Sequence, residues 1–292
     1  MADERAARRR PAPPGALADR LRVGPGFVLA DVRTRSTPGF PGGRREGEAA
    51  LAAGAARLSE LQERLFAEGR TDGRRSLLLV VQGMDTSGKG GIVRHVVGAV
   101  DPQGVHHHAF GAPTKEGLAH DFLWRVRRAL PQPGQIGVFD RSHYEDVVVA
   151  RVRDLVPPAT WQRRYAAINR FERRLNDQGT TLVKVLLQIS PQEQRKRLDK
   201  RLARPDKHWK YDPGDVDERL RWQQYQEAYQ AVLDRCTTPD APWYVVPADR
   251  KWYARWAVQQ LLLDALKRMD PQWPPARFDV DVERARLAAT PG

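Results

Sequence analysis

The chain has 292 residues, 41% of them hydrophobic and eight of them tryptophan, enough to bury a substantial core as one large α/β domain or as a domain with appendages. It carries 49 Lys and Arg against 36 Asp and Glu, a net charge of +13 that calls for an anionic partner. Its single cysteine, Cys236, excludes an internal disulfide and a cysteine-based metal site, and no apolar stretch approaches the roughly 20 residues that span a bilayer.

The start, MADERAARRRPAPPG, has arginines but no apolar core, so no secretory signal is expected and a reducing, cytoplasmic compartment is. Residues 1–47 are rich in Arg, Pro and Gly without periodicity and read as a tail wrapped on or floating off the domain. Over 48–68, Leu51, Ala55, Leu58, Leu61 and Leu65 recur at three- and four-residue steps, which predicts an amphipathic helix. Ser76–Gln82 is a nearly continuous aliphatic run, as expected for a strand buried on both faces of a parallel sheet.

That strand runs into GMDTSGK. Gly83, Gly88 and Lys89 keep the spacing of the phosphate-binding pattern G-x-x-x-x-G-K-[ST], whose backbone amides cradle phosphates and whose lysine reaches the outer phosphates. The next position departs from it: Gly90 offers no hydroxyl for a metal, while Asp85 sits inside the loop. Gly90 and Gly91 lead into IVRHVVGAV, an apolar helical pattern, so strand, loop and helix start follow in order and the helix dipole adds to the anion site. A plain glycine-rich turn is the competing reading, and it leaves Lys89 and the aspartate described next unexplained.

A strand is expected at 104–110, GVHHHAF, where adjacent residues face opposite ways, so His106–His108 do not converge on one ion. Nothing orients one of them as a phosphohistidine nucleophile. Thr114 is a candidate cap for the following helix, weakened by Gly117. The next apolar segment, QIGVFD, ends in Asp140 at the carboxyl edge where parallel sheets bind ligands, a position suited to holding Mg²⁺ against phosphates. Arg141 follows, a guanidinium able to clamp a phosphate bidentately. An isolated Asp-Arg pair would otherwise read as surface electrostatics.

A long helix is predicted over 158–178, strands at Thr180–Ser190 and Trp243–Val246, and helices from about Asp215, as an Asp cap, to Cys236 and over Trp252–Met269. The chain beyond Pro271 reads as a second tail. Residues 191–210 hold eight Lys or Arg against three acidic residues. Arg197, Arg201 and Arg204 step along one helical face, and Lys207 and Lys210 continue past Pro205. A solvated basic helix face is the usual meaning of such a run. Placed beyond a strand in a phosphate-binding fold, it is expected instead to be a helical lid, about 191–235, that closes on phosphates. Tryptophans 222, 243, 252 and 256 are expected to pack in the core rather than stack on bases, and Cys236 to be inert packing. The alternation of strands and helices gives the fold class: α/β, a P-loop kinase-like parallel sheet with helices on both faces, carried by residues 48–269 between the two tails.

The blocks GMDTSGKGG, HDFLWR, FDRSHYEDV, KHWKYDPGD and APWYVVPADRKW resemble those of the family-2 polyphosphate kinases, in family order, from about Leu58 to Met269. The FLWR and SHYEDV blocks look most like the subgroup that phosphorylates nucleoside mono- and diphosphates. The resemblance implies Mg²⁺-dependent transfer of a terminal phosphoryl group between inorganic polyphosphate and AMP, ADP or ATP, with Mn²⁺ as a substitute ion. It implies Asp85, Lys89, Asp140 and Arg141 as the working residues, Asp85 and Asp140 holding the metal, and a polyphosphate cover from the lid basics. Glu145 and Glu116 are candidates for orienting Arg141 or the acceptor, although Glu145 and Asp146 equally suit a helix start. Gly111 and Gly117 depart from the family, where a lysine and a glutamate are common. A homo-oligomer is expected, joined through 48–68 or the tail. An ATP-dependent P-loop kinase shares the loop and lid. A nucleic-acid-binding P-loop protein is supported by charge alone and shows no RNA-module signature.

Overall fold

The structure, a computed structural model, describes residues 15–291. The charged start therefore lies outside the described residues. In chain order the helices and strands are α1 (Ala16–Leu21), α2 (Arg44–Gly69), β1 (Ser76–Gln82), α3 (Lys89–His95), β2 (Val105–Ala109), α4 (Lys115–Leu118), α5 (Trp124–Arg128), β3 (Ile136–Asp140), α6 (Glu145–Val152) and α7 (Pro158–Asp177). They continue with β4 (Thr180–Gln188), α8 (Pro191–Leu202), α9 (Gly214–Leu220), α10 (Trp222–Cys236), β5 (Trp243–Pro247), α11 (Lys251–Met269) and α12 (Val280–Ala288). The five strands form one parallel sheet in the order β2-β3-β1-β4-β5. The crossover from β1 runs to one side and that from β3 to the other, which opens a crevice at the carboxyl ends of β1 and β3.

Both faces of the sheet are covered because alternate side chains of each strand point opposite ways. Leu77, Leu79 and Val81 join Val183, Val185 and Val246 in a core under α1, α2, α3 and α11. Leu78 and Val80 join Phe139, Leu186 and Trp243 in the other, under α5, α6, α7 and α10. That is why β1 has no polar face: every residue from Ser76 to Gln82 is buried. Trp243, Trp252 and Trp256 are core residues and Trp222 packs partly buried against them.

Five expectations change. Within the 1–47 segment, the described residues 15–47 are packed on the domain: Leu17, Leu21, Val23, Leu29 and Phe40 are buried, and Arg22 bridges Tyr244 beside β5. Helix 48–68 extends back to Arg44, and its buried Leu58, Leu61 and Leu65 pack on the α11 side of the sheet, so that face is spent within the chain and is not free to join a second copy. The helix predicted from Asp215 is broken at Arg221 into α9 and α10; Asp215 is not its cap, since α9 starts after Pro213 without a side-chain cap, and the preceding Asp212 accepts from the Gly214 amide at 2.8 Å. α10 buries Tyr225, Ala228, Tyr229, Val232 and Leu233, so of the segment 191–235 expected as a lid, residues 222–235 pack into the body. The C-terminal segment, expected as a tail, contains α12, capped by Asp279. No helix among the described residues is long and apolar enough to cross a membrane.

One charged group sits inside the second core. Lys184, fully buried on β4, places its Nζ 2.6 Å from Glu172 Oε2 on α7, 3.0 Å from Tyr144 Oη and 2.8 Å from the Cys236 carbonyl. Glu172 Oε1 also accepts from Tyr144 Oη at 2.8 Å and lies 3.1 Å from His143 Nε2. Burial alone would raise the Glu172 carboxyl, but Lys184 and His143 outweigh it and hold it below its usual range. Burial pushes the Cys236 thiol up to about 12, which keeps it inert. Because the network ties β4 and α7 to residues 143–144, it fixes the loop that follows Asp140. Glu172→Ala, which leaves Lys184 charged and unpaired, should cost about 3–5 kcal/mol in urea unfolding; a loss near zero would show that the pair is not a structural tie.

Candidate active site

The glycine loop after β1 is held in a conformation few residues tolerate. Gly83 (φ 148°) and Gly88 (φ 119°) have positive φ, and a Cβ on Gly83 would stand 2.7 Å from both the Leu187 carbonyl oxygen and Ser87 Oγ. Thr86 on this loop and Arg141 after β3 both adopt φ of 64° without being glycine, a strain of roughly 1–3 kcal/mol each that the surroundings must enforce. The two strained turns face one another through an ion pair, Arg141 Nη2 to Asp85 Oδ1, at 2.9 Å. Lys89 is buried, with its Nζ donating to the Gly83 carbonyl at 2.8 Å.

The electrostatics follow from this packing. Burial alone would raise Asp85, but Lys89 and Arg141 outweigh it and hold the carboxyl below its usual range. Burial works against the charge of Arg141, but Glu145 and Asp85 overcome it and push the guanidinium above its usual value. Glu145 moves the opposite way to Asp85: burial raises it, against the pull of Arg141 and Lys89. Gln82, oriented to satisfy the hydrogen-bond network, donates to Glu145 Oε1 at 3.0 Å and accepts from the Ser142 amide at 3.1 Å. Glu145 thus lies beside Arg141 within this group.

Arg197 is not a lid cation. An arginine has five N–H donors, and all five are used: Nε to Glu193 Oε1 (2.8 Å), Nη1 to the Thr86 and Ser87 carbonyls (2.8 and 2.9 Å), Nη2 to the Ala248 and Asp249 carbonyls (2.6 and 3.0 Å). It is a strut beneath the phosphate loop. Its α8 neighbour Gln194 reaches the Asp85 carbonyl at 3.3 Å. α8 begins rigidly, since Ser190 Oγ accepts from the Glu193 amide and Pro191 follows the cap. Asp249 completes the support. It accepts from Ser190 N at 2.8 Å, Ser190 Oγ at 3.0 Å and Thr34 Oγ1 at 2.9 Å, tying the N-terminal segment to the ends of β4 and β5.

The other basic residues expected in a lid share one cavity with the loop. A cavity of about 870 Å³ is lined by residues 85–92 and Asp140–Arg141 on one side, and by Arg201, Arg204, Lys207 and Lys210 on the other. Arg201 is shared with Asp215 (3.2 Å) and the Lys210 carbonyl (2.8 Å). Arg204 and Lys207 share the exposed Asp206, whose carboxyl they lower to about 2 through hydrogen bonds and charge. α9 is tied to the body where Glu218 meets Arg153 and the Tyr225 hydroxyl. Glu116 is not brought to the site: it lies exposed on α4, outside the cavity wall. The nearby Gly111 carbonyl accepts from Arg125 at 2.7 Å, and Arg125 pairs with Asp146 at 3.1 Å.

A second basic cluster was not singled out in the sequence. Lys200 on α8 and Lys251 and Arg255 on α11 line both this cavity and a smaller one of about 390 Å³ bounded by α8, α11 and the start of α2. Arg255 approaches within 3.7 Å of where a Cβ on Gly91 would stand. The available signal was the i, i+4 spacing of Lys251 and Arg255 immediately after β5, opposite the phosphate loop.

A loop of amides with its lysine, two carboxylates at strand ends and a cationic cover suit the movement of a phosphoryl group, and the class they define is the P-loop kinase-like phosphotransferase. Sequence comparison narrows that class: the profile of polyphosphate kinase 2 matches residues 43–274, and the chain belongs to that family. An AMP/ADP-polyphosphate phosphotransferase of Meiothermus ruber is 47% identical over 248 residues, 85% of this chain and 91% of that protein. An ADP-polyphosphate phosphotransferase of Rhodopseudomonas palustris is 41% identical over 236 residues, 76% of this chain and 80% of the relative. The crystal structure of polyphosphate kinase 2 from Arthrobacter aurescens matches with a TM-score of 0.93 at 56% identity, covering 95% of this chain and 98% of its own.

The strut can be separated from a phosphate contact by stability alone. Arg197→Met strands four backbone carbonyls and should cost about 3 kcal/mol or more in urea unfolding without any ligand, whereas Arg204→Ala should leave the midpoint in place. Equal midpoints for the two variants would return Arg197 to the lid.

Proposed function

We propose that this chain transfers the terminal phosphoryl group of inorganic polyphosphate to AMP or ADP, using Asp85, Lys89, Asp140 and Arg141 under a cover of Arg201, Arg204, Lys207 and Lys210. The observation that carries the reading is that these side chains line one cavity in which cations outnumber carboxylates, as a site for two phosphate chains requires. The names of the relatives support polyphosphate as donor and AMP or ADP as acceptor.

The terminal phosphate oxygen of the acceptor nucleotide is ionised at neutral pH, so its attack on the terminal phosphorus of polyphosphate needs no general base. Catalysis then consists of alignment and charge neutralisation. Lys89 holds the transferring group at the loop, and the loop amides bind its oxygens. Arg141, fixed by Asp85 and Glu145, offsets the charge that develops on the equatorial oxygens, with Arg201 and Arg204 opposite it. Asp85 and Asp140 are hard oxygen donors on the same cavity, and among the described residues no cluster of three or more His, Cys, Asp or Glu forms a closed cage. Such a pair fits Mg²⁺, or Mn²⁺ in its place, which is commonly held by one or two carboxylates together with substrate phosphates and water. When held by Asp85 and Asp140, the ion would supply positive charge to neutralise the phosphates. The reaction belongs in the cytoplasm on this reading, supported by the one buried, inert cysteine.

The assay is direct: the protein, polyphosphate, Mg²⁺ and either AMP or ADP, with ADP or ATP as the expected product. Lys89→Ala should lower turnover by about 10³-fold or more while keeping the far-UV circular dichroism of the parent. No product with either acceptor, alongside ATP-dependent phosphorylation of another substrate, would overturn the donor assignment; ordinary turnover in Lys89→Ala would overturn the role of the lysine.

A further inference from the structure

We propose that Lys251 is a site of covalent acylation by acyl phosphates, whose phosphate group is docked by Arg255 and Lys200 while the lysine amine attacks the acyl carbon. Lys251 stands exposed at the first position of α11, on the wall shared by the two cavities. Among the described residues neither it nor Lys200, Arg255 or Arg94 has a carboxylate within 4.0 Å, so the cluster is left with cationic groups to offer an anion.

An ordinary lysine is a poor nucleophile at neutral pH because almost all of it is protonated. Lys251 is reachable from solvent, but partial enclosure of its amine by the cavity wall opposes the charge first, and Arg197, Arg255 and, more weakly, Lys200 repel it, against the attraction of Glu193 on α8; together they bring Lys251 down to about 8. Arg44 and Glu48 of α2 face the same cavity from the other side. The neutral fraction at pH 7 is then well above that of an unperturbed lysine. Cationic neighbours are an established means of activating a lysine amine. The same neighbours recruit the phosphate of the reagent, so activation and docking have one cause.

In the reaction the Lys251 Nζ lone pair forms an amide bond to the acyl carbon, and the bond from that carbon to the phosphate oxygen breaks. Inorganic phosphate leaves with the electron pair and takes up the proton lost by the amine. The product side chain is neutral. The loss of one cation weakens the hold on a polyanion, a consequence that rests on the function proposed above; the modification itself does not.

The full-length chain is incubated at pH 7 with acetyl phosphate, with and without excess tripolyphosphate, and peptide mass spectrometry follows acetylation of Lys251 and of Lys267, which is exposed near the far end of the same helix. Lys251 should be labelled at least about tenfold faster than Lys267, allowing for the lower intrinsic reactivity of a less basic amine. Tripolyphosphate should protect Lys251 and leave Lys267 unaffected. Equal rates at the two lysines, or labelling of Lys251 that tripolyphosphate does not slow, would overturn the assignment. The readout needs no turnover, so it stands or falls separately from the kinase assay.

Discussion

The five hydrogen bonds of Arg197 are the constraint on which the site depends. They join three pieces of chain that are remote in sequence: the phosphate loop, α8, and the residues after β5, which Asp249 in turn ties back to Ser190 and Thr34. By engaging the carbonyls of Thr86 and Ser87, the guanidinium fixes the planes of the peptides that follow. Because those peptides are planar and trans, the amides of Ser87 and Gly88 point away from the strut. The Ser87 amide closes a turn on Met84, leaving that of Gly88 available to an anion. A left-handed threonine at position 86 persists because its carbonyl is held in place on a buried cation.

A second buried cation does the corresponding work on the other side of the crevice. Lys184 and Glu172 hold His143 and Tyr144, and through them the turn that carries Arg141 at φ 64°. Each strained turn is therefore backed by a desolvated charge with a full set of partners, and the two turns meet at the Asp85–Arg141 pair. The cost of burying such charges is repaid only when every donor is satisfied, as both are here. Of the remaining cations, Arg201 is shared with the buried Asp215, while Arg204 and Lys207 pair only with the exposed Asp206 and those at the start of α11 have no carboxylate partner among the described residues, so these face substrate.

Much of this was legible in the sequence. A continuous aliphatic run ending in glycines, a second run ending in Asp140, and a third at Thr180 fixed the sheet, because strands buried on both faces carry that pattern. Of the arginines at 197, 201 and 204 expected on one helical face, the first two lie on α8, while Arg204 falls in extended backbone beyond its end, and the sequence did not tell the buried one from the others. Their difference lies in burial, and the partners of Arg197 are backbone carbonyls 111 and 51 residues away, which leave no trace in residue type. Lys184 within TTLVKVLLQ gave no warning that it was charged and buried, since its partner stands on a helix whose register against the strand is a tertiary property. The N-terminal segment looked like a tail because its buried Leu17, Leu21, Val23 and Leu29 are too sparse to show a period. Gly90 was the most useful departure. By removing the hydroxyl of the standard pattern, it directed attention to Asp85, which the structure places against Arg141 on the cavity wall.

Whether Asp85 stands in for that hydroxyl is best tested by metal binding itself. Mn²⁺ is titrated into the protein and into Asp85→Asn in the presence of ADP, and free Mn²⁺ is read from its electron paramagnetic resonance signal. If Asp85 holds the metal, its amide should bind Mn²⁺ about tenfold or more weakly, with the folded structure retained by circular dichroism. Superimposable isotherms for the two proteins would contradict a metal role for this carboxylate and leave it only as the partner of Arg141.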